Sequence, residues 1–417
     1  MLKYGDIGTY LENFVYVEND NICLFPIEEK KTVLEAVLIN NRKVPLFINE
    51  FWTARQRQAS SIQEVSYRAC FKPQLPRFFI NLLTKEGDLV YDPFSGRGTT
   101  IIEAALLDRR VIANDVNPLS KMLTAPRLAV PPLSSVMERL SQIPPDSSTD
   151  LDLSMFYHPK TEAEIAALRN YLIGVKADSR EDDTDRWIRM VATNRLTGHS
   201  KGFFSVYTLP PNQAVSMERQ KRINKKRNQQ PEYRDTKKLI MKKSRSLTKG
   251  LSVIERENLQ RASCSASFYK EDARQTFDIP DGHVQLTVTS PPFLDVVQYS
   301  QDNWLRCWFN NLDMPDIEKK ITMAKTVEQW SLVMGEVFVE LYRITRNGGW
   351  VAFEVGEVKQ GRVKLEEHVV PLGLQAGFEC AGIIINQQEF TKTSNIWGVG
   401  NNQRGTNTNR IVLFYKN

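Results

Sequence analysis

The stretch D-P-F-S-G-R-G-T-T, from Asp92 to Thr100, decides the fold class of the surrounding chain. It follows a short apolar run at residues 89–91, which predicts a buried strand. Residues 99–107 suit a helix, and residues 110–113 predict a second strand. A strand, a turn, a helix and a second strand in this order are typical of the start of a doubly wound sheet, so the chain is predicted to be α/β and Rossmann-like.

Two glycines and one aspartate give this turn the properties of a ligand site. Gly96 and Gly98 allow a tight turn and a close approach of the backbone to a ligand. The helix that begins here presents free N–H groups and its positive dipole end to an anionic group. Asp115 follows the second strand, where a carboxylate accepts hydrogen bonds from ribose hydroxyls. A G-x-G turn by itself also occurs as a purely structural feature, and this one lacks the third glycine of the dinucleotide fingerprint.

The second motif is T-S-P-P-F, from Thr289 to Phe293, directly after the apolar strand predicted at residues 284–288. The lone pair of an exocyclic amino group on a base is conjugated into the ring, so this nitrogen is a poor nucleophile. The Ser290 hydroxyl and the Pro291 carbonyl can accept hydrogen bonds from the amino protons and thereby enrich that lone pair. Two consecutive prolines stiffen the loop, and an aromatic ring after them can stack on a base. Read alone, however, S-P-P-F also fits an ordinary proline loop.

Together the two motifs resemble those of the S-adenosylmethionine-dependent DNA amino-methyltransferase family, whose catalytic motif is [DNS]-P-P-[YFW]. The resemblance implies that S-adenosyl-L-methionine is the cofactor, that no metal takes part, and that a base flipped out of double-stranded DNA receives the methyl group directly. Serine before the prolines resembles the cytosine N4 branch, whereas aspartate or asparagine is more typical of adenine N6 enzymes. The catalytic residues implied are Ser290, Pro291, Pro292 and Phe293.

Two further segments extend the resemblance. Residues 62–80, centred on Lys72-Pro73, are similar to motif X, which closes over the methionine part of the cofactor. The string Y-K-E-D-A-R at residues 269–274 resembles motif III, which implies that Asp272 accepts a hydrogen bond from the adenine of the cofactor. The motif order X, I, insertion, III, IV differs from the permuted order that is common among cytosine N4 enzymes. The cofactor-binding residues implied are Tyr67, Lys72, Pro73, Asp92, Pro93, Phe94, Ser95, Gly96, Gly98, Thr99, Thr100, Asp115, Asp272 and Thr289.

The motifs divide the chain into three parts. Residues 51–125 and 263–417 carry them and are predicted to form the catalytic domain, a Rossmann-like class I methyltransferase sheet. Residues 126–262 are too long for an ordinary loop and are predicted to be an inserted, basic, mainly helical target-recognition region. Residues 1–50 are an N-terminal extension to which the sequence assigns no function.

The insertion carries a strong positive charge. The whole chain has a net charge of +6, whereas residues 219–249 alone hold 13 Lys or Arg and two acidic residues. This predicts a polyanionic partner, although a solvated helix face has the same composition. Residues 187–207 mix basic, polar and aromatic groups, and a flexible loop is predicted at residues 398–409. The candidate DNA contacts in these segments are Asn194, Arg195, His199, Lys201, Arg219, Lys221, Arg222, Lys225, Lys226, Arg227 and Arg404.

Composition narrows the class of protein further. An apolar share of 41% with 25% charged residues is typical of a soluble globular protein, and no run approaches the roughly 20 apolar residues of a membrane span. Five scattered cysteines, none in C-x-x-C, indicate reduced thiols and no zinc site. We therefore expect a cytoplasmic protein without membrane attachment. The resemblance adds a prokaryotic restriction–modification setting, with a cognate restriction endonuclease as a candidate partner.

Three other functions are considered beside this one. RNA amino-methyltransferases share both motifs, but the chain shows no RRM or KH signature. A C5-cytosine enzyme needs a cysteine nucleophile, normally after proline, and the chain contains no Pro-Cys. A DNA-binding protein with a degenerate methyltransferase fold would not be expected to keep both motifs intact.

Overall fold

The centre of the computed structural model is a single nine-stranded sheet. The structure describes residues 2–16, 30–53, 59–67, 70–145, 147–149, 151–209, 214–292, 299–321, 324–355, 363–391 and 404–417. The strands are β1 (Val15–Tyr16), β2 (Lys30–Lys31), β3 (Val33–Ile39), β4 (Arg42–Asn49), β5 (Leu89–Asp92), β6 (Arg110–Asn114), β7 (Ser267–Tyr269), β8 (Val284–Thr289), β9 (Thr345–Val355), β10 (Glu379–Thr391) and β11 (Arg404–Tyr415).

Helices connect these strands. They are α1 (Tyr4–Glu12), α2 (Gln74–Leu83), α3 (Thr99–Leu106), α4 (Leu119–Thr124), α5 (Leu133–Gln142), α6 (Pro159–Ala177), α7 (Asp183–Thr193), α8 (Met217–Arg227), α9 (Thr236–Thr248), α10 (Val253–Ser265), α11 (Tyr299–Asn310), α12 (Met314–Lys320), α13 (Val327–Ile344) and α14 (Leu365–Ala376). In the described part of the chain, none of them is both long and apolar enough to cross a membrane.

The order of the strands places a ligand site at one edge of the sheet. The order is β3-β4-β10-β11-β9-β8-β5-β6-β7, and the five strands β9-β8-β5-β6-β7 are parallel to one another. The chain winds outward from β5 on one side and from β8 on the other, so the order reverses between these two strands. Ligands of open α/β sheets bind outside the carboxyl ends of the strands at such a point. Both sequence motifs directly follow or overlap the ends of β5 and β8.

The structure confirms the predicted α/β, Rossmann-like sheet, and β5, α3, β6 and β8 lie where the sequence predicts them. One local prediction is wrong. The loop expected at residues 398–409 is already strand from Arg404, where β11 pairs with β10 in antiparallel register.

Residues 33–49 of the predicted N-terminal extension belong to the same sheet. They form β3 and β4, and β4 is parallel to β10. Immediately after β4, the Asn386 side-chain oxygen of β10 accepts the N–H groups of Phe51 and Trp52 at 2.8 and 3.1 Å. The N-terminal region is therefore bonded into the framework of the sheet.

The insertion packs on one face of the sheet and shares its core. Val90 and Leu286 of the sheet lie in one apolar cluster with Trp187 of α7 and Ile240 of α9. The other face is covered by α13 and α14, which form a second cluster with alternate residues of the same strands. The predicted boundary at residue 262 falls inside α10, and α10 contacts α3 and β6. The division into domains stays a prediction, while the packing is that of an added helical layer.

A substitution at Trp187 tests whether the insertion and the sheet share one core. Its side chain is fully buried, and its indole N–H donates to the Ser244 hydroxyl of α9 at 2.9 Å. We expect Trp187→Ala to lower the free energy of unfolding by about 3–5 kcal/mol, because it leaves a large cavity. Because the insertion and the sheet share one core, guanidinium denaturation followed by circular dichroism should show helix and strand signals disappearing together. The matched control is Val253→Ala at an exposed position, and a separate early unfolding of the insertion helices would contradict the prediction.

Candidate active site

Asp92, at the end of β5, is the buried acid of the first motif. The Thr289 hydroxyl at the end of β8 donates to Asp92 Oδ1 at 2.6 Å, and the Phe94 N–H donates to the same oxygen at 3.1 Å. Burial raises the pKa of Asp92 to about 7, although these hydrogen bonds favour its charged form. This contact joins the two motifs across the point where the strand order reverses.

The glycines of the turn are needed for steric reasons. Gly98 has φ of 76°, and an ideal Cβ there would lie 2.3 Å from the Thr124 hydroxyl oxygen. Gly96 has φ of 50°, and its ideal Cβ position is 3.6 Å from the Tyr67 ring. Gly98 is also the N-cap of α3 and brings no capping side chain to the N–H groups of the first turn. These features leave an open backbone cradle with a positive helix end.

Asp115 is positioned at the same edge, just beyond β6. Its Oδ2 accepts the Gly96 N–H at 2.8 Å, and its Oδ1 accepts the Asn117 N–H at 2.9 Å. Burial raises the pKa of Asp115 to about 6. Because the carboxylate is fixed by two backbone donors, its remaining lone pairs have defined directions.

The donor and acceptor set of this cradle fits S-adenosylmethionine. Asp92 would face its methionine ammonium, the first turn of α3 its carboxylate, and Asp115 its ribose hydroxyls. Pro93 is buried and Phe94 partly buried beside them, and the Ser95 hydroxyl is 2.7 Å from that of Ser120. The two threonines of the motif, Thr99 and Thr100, are buried and anchor the turn.

The T-S-P-P-F loop is held from two sides. The Thr100 hydroxyl donates to the Val288 carbonyl at 3.0 Å, which ties α3 to the end of β8. The Trp330 indole N–H of α13 donates to the Pro292 carbonyl at 3.0 Å. The Pro292 carbonyl is therefore engaged by Trp330. Phe293 lies outside the described residues.

A carboxylate that the sequence analysis missed lies beside Ser290. Glu354, near the end of β9, lies beside the Ser290 side chain, and the Asn409 amide donates to Glu354 Oε1 at 3.2 Å. Burial raises the pKa of Glu354, although Ser290 and Asn409 both favour its charged form. The signal in the sequence was a single acid inside the apolar run G-W-V-A-F-E-V, since an acid is rarely buried without a partner.

The segment similar to motif X lies against the cradle. Arg97 donates to the Val65 carbonyl at 2.9 Å, and Arg306 of α11 donates to the Ser66 carbonyl at 3.1 Å. These bonds hold Tyr67 over Gly96. Further along, Pro73 is buried at the start of α2, whereas Lys72 is exposed.

Asp272 is less well placed for the role that the resemblance implies. The Arg274 guanidinium donates to both carboxylate oxygens of Asp272, from Nε to Oδ1 at 2.9 Å and from Nη2 to Oδ2 at 2.7 Å. These hydrogen bonds hold the pKa of Asp272 below its usual value. Contact with the cofactor would have to use the remaining lone pairs, so the role of Asp272 stays a prediction.

Two predicted DNA contacts lie inside the protein. The Asn194 amide donates to the Ser66 carbonyl at 2.9 Å, and the Arg195 guanidinium donates to Asn194 and stacks on the Phe203 ring at 4.0 Å. Asn194 is 2% exposed and Arg195 is 9% exposed, a burial that does not fit contact with DNA. His199 and Lys201 in the following loop are exposed.

The basic residues predicted around α8 are on the surface. All six are exposed and project from this one helix, and they are Arg219, Lys221, Arg222, Lys225, Lys226 and Arg227. The segment just before α8 is joined to α11 through Ala214 N–H to Asp302 carbonyl and Trp304 indole to Val215 carbonyl, at 3.2 and 3.1 Å. Arg404 lies on β11, and its side chain is outside the described residues.

One family model matches part of this chain. The model of the N6/N4 methyltransferase family, described as DNA methylase, matches residues 14–121. That range contains the D-P-F-S-G-R-G-T-T turn and ends before T-S-P-P-F. The resemblance to the DNA amino-methyltransferase family is therefore confirmed over this part of the chain.

The individual relatives are matched over short stretches. The chain is 36% identical over 63 residues to tRNA (guanine(10)-N2)-dimethyltransferase of Methanocaldococcus jannaschii, which is 15% of this chain and 18% of that protein. It is 24% identical over 134 residues to type II methyltransferase M.MjaII of the same organism, 31% of this chain and 25% of that protein. The chain thus spans a quarter or less of these curated relatives. Among solved structures, precorrin-6y C5,15-methyltransferase from Geobacter metallireducens GS-15 aligns over 87% of this chain and 96% of that chain, with 9% identity and a TM-score of 0.33.

The raised pKa of Asp92 gives a testable pH dependence. The folded protein keeps the Asp92 proton up to about pH 7, whereas the unfolded chain releases it near 3.8, so this group lowers the free energy of unfolding as pH rises between these values. Asp92→Asn keeps an oxygen for Thr289 and Phe94 and removes the buried charge. We expect the ligand-free variant to be more stable than the parent above pH 7 and to bind S-adenosylmethionine at least ten-fold more weakly.

Thermal denaturation from pH 5 to pH 8 and titration calorimetry measure the two effects. Asp6→Asn, at an exposed position, is the matched control and should change neither. If Asp92→Asn binds the cofactor as tightly as the parent does, Asp92 does not contribute to cofactor binding.

Proposed function

We propose that this protein is an S-adenosylmethionine-dependent DNA methyltransferase that modifies an exocyclic amino group, with cytosine N4 as the favoured target. The observation that carries the proposal is the position of the buried Glu354 carboxylate beside the Ser290 side chain, at the carboxyl edge of the sheet where Thr289 bonds to Asp92. Adenine N6 is the alternative target.

The Ser290–Glu354 pair compensates for the absence of an acid in the catalytic motif. Serine alone is a neutral and weak acceptor. When the Ser290 hydroxyl donates a hydrogen bond to Glu354, both lone pairs of Ser290 Oγ remain available to accept hydrogen bonds from the amino group of the base. The negative charge on Glu354 strengthens this acceptor through the hydrogen bond.

The Pro291 carbonyl is the second acceptor in this proposal. Trp330 engages the neighbouring Pro292 carbonyl and fixes the orientation of the loop. With its protons held by Ser290 and Pro291, the amino nitrogen directs its lone pair toward the cofactor side of the cleft. S-adenosylmethionine, when bound, supplies the methyl group, and the nitrogen–carbon bond forms as the sulfur–carbon bond breaks. The surplus amino proton passes through Ser290 to Glu354, whose raised pKa makes it a competent acceptor.

Double-stranded DNA as substrate requires that the base leave the helix to reach this buried loop. The exposed basic face of α8 supports binding of the phosphate backbone. The segment just before α8 is hydrogen-bonded to α11, the helix that follows the catalytic loop along the chain. A sequence-specific role in a restriction–modification system with a cognate endonuclease remains part of the proposal. The match to a tRNA methyltransferase makes RNA the competing substrate to be tested.

The first test removes the charge behind Ser290. We expect Glu354→Gln to lower the rate of methyl transfer by about 100-fold, since it removes the proton acceptor, with little change in cofactor affinity. The parent rate should rise with pH as Glu354 ionises, and this rise should be absent in Glu354→Gln. Glu318→Gln on the exposed face of α12 is the matched control. An unchanged pH profile would show that Glu354 has a structural role only.

Analysis of the methylated product shows which base the enzyme modifies. Methylated DNA is digested to nucleosides, and the product is identified by mass spectrometry against standards. N4-methylcytosine is the expected product, and N6-methyladenine would keep the class of enzyme but overturn the favoured target. Methylation of RNA alone, or 5-methylcytosine, would overturn the proposed function.

A separate test concerns the basic residues of α8. Changing Lys221, Arg222, Lys225 and Lys226 to Gln should weaken DNA binding and flatten its salt dependence, by about 0.9 in the slope of log K against log salt for each phosphate that the variant no longer neutralises. The same number of charges is removed in the control by changing the exposed Lys31, Lys43, Lys85 and Lys319 to Gln. Equal salt slopes in the two variants would mean that α8 is only a solvated surface.

A further inference from the structure

We propose that two copies of this chain associate through the outer face of α13, with their α13 helices packed antiparallel about a two-fold axis. The surface concerned is the outer stripe of α13, which consists of Glu328, Leu332, Gly335, Glu336, Val339 and Arg343. These residues recur every three or four positions, with the adjacent Gly335 and Glu336 at the middle, so they lie on one side of the helix. The proposal concerns association of the chain and does not depend on the reaction that it catalyses.

The outer stripe carries apolar side chains that no part of the described chain covers. Leu332 is 74% exposed and Val339 is 62% exposed. Beside the helix, the Thr276 N–H donates to Glu340 of α13 at 2.7 Å, and the next residue, Phe277, is 80% exposed. Contact of three large apolar side chains with water is unfavourable, so burying them against a second copy would stabilise a dimer.

The order of the apolar residues along the stripe is self-complementary. In an antiparallel pair whose two-fold axis passes between Gly335 and Glu336, Leu332 and Val339 are equally far from the axis. Leu332 of each copy therefore faces Val339 of the other copy. An interface between identical surfaces requires such a match, because each residue has to suit the residue that it meets across the axis.

The charges of the stripe match in the same arrangement. Glu328 in the first turn and Arg343 in the last turn are also equally far from the axis, so each meets the other on the second copy. The Arg343 side chain is 30% exposed while it is paired with Glu340, which leaves part of the guanidinium facing outward. Glu336, next to the axis, is paired with Arg274 at 3.1 Å, and this pairing offsets the repulsion between the two Glu336 carboxylates.

Gly335, in the middle of α13, is explained by this arrangement. Glycine is among the least favourable residues inside a helix. Packing within the chain does not require it, because an ideal Cβ there would lie 3.7 Å from Leu372, at an ordinary van der Waals distance. A helix of a second copy that crosses at this point can approach more closely when no side chain intervenes.

The proposed interface leaves the catalytic edge of the sheet accessible. α13 packs on the face of the sheet opposite the insertion, so the basic helix α8 lies on the other side of the molecule. α13 connects the parallel strands β8 and β9 and runs back across the sheet. Antiparallel packing of α13 therefore points the carboxyl edges of the two sheets in opposite directions, and each copy keeps its own complete site.

Gel filtration coupled to light scattering tests the association of the full chain. We expect a mass near twice the 47.9 kDa of one chain. Leu332→Glu and Val339→Glu should each reduce the mass to that of one chain, because they place a charge in the apolar contact. Both positions are exposed, so the thermal midpoint of the monomer should be unchanged. The matched control is Val253→Glu at a 72% exposed apolar position of α10, which should remain dimeric.

Cysteine cross-linking tests the antiparallel arrangement. Leu332 faces Val339 across the axis, whereas the two copies of Leu332 are about 10.5 Å apart along the helix direction, which is too far for a disulfide. Leu332→Cys mixed with Val339→Cys should therefore form a disulfide-linked dimer on oxidation. Neither variant alone should cross-link beyond the level of the parent, which sets the background from the native cysteines.

Four results would overturn the proposal. They are a parent protein that is monomeric at every concentration, a dimer that persists in both Glu variants, a dimer that Val253→Glu dissociates, and cross-linking of Leu332→Cys alone above the parent level. A monomeric parent would leave the stripe to a partner of another sequence. Methyl-transfer activity does not enter these measurements, so their outcome is independent of the proposed function.

Discussion

The hydrogen bond from the Thr289 hydroxyl to the buried Asp92 carboxylate joins the ends of β5 and β8, where the strand order of the sheet reverses. A long insertion separates these strands in the sequence, and their pairing brings the Gly-rich turn and the T-S-P-P-F loop together. Burial disfavours the charged form of Asp92 and raises its pKa to about 7, although the hydrogen bond from Thr289 favours that form. A site that keeps a partly disfavoured carboxylate in place is prepared for a cationic ligand.

The rest of the fold keeps this pair of loops in a fixed position. The insertion adds a helical layer whose core is continuous with one face of the sheet, and its Asn194 amide reaches the segment beside Tyr67. On the other face, α13 supplies the Trp330 indole that holds the Pro292 carbonyl. Elements from both faces therefore converge on a loop that has little regular structure of its own.

The two faces of the central strands also separate two kinds of chemistry. Glu354 and Asn409 point to the catalytic side, while Arg410 points to α14 on the other face. Each side places a carboxylate in a largely apolar setting. On the catalytic side Glu354 lies beside the Ser290 side chain, whereas on the other side Glu366 is paired with Arg410.

The sequence by itself determined the α/β class, the elements around both motifs and the residues of the Gly-rich turn, because these depend on local periodicity and on short-range turn geometry. It did not reveal Glu354, which lies about 60 residues from Ser290 along the chain and meets it only through the pairing of β8 with β9. It also placed Asn194 and Arg195 on the DNA-binding surface, where composition alone could not distinguish a buried polar group from an exposed one. Tertiary structure decided these points, because burial and partner choice depend on contacts between segments that are distant in sequence.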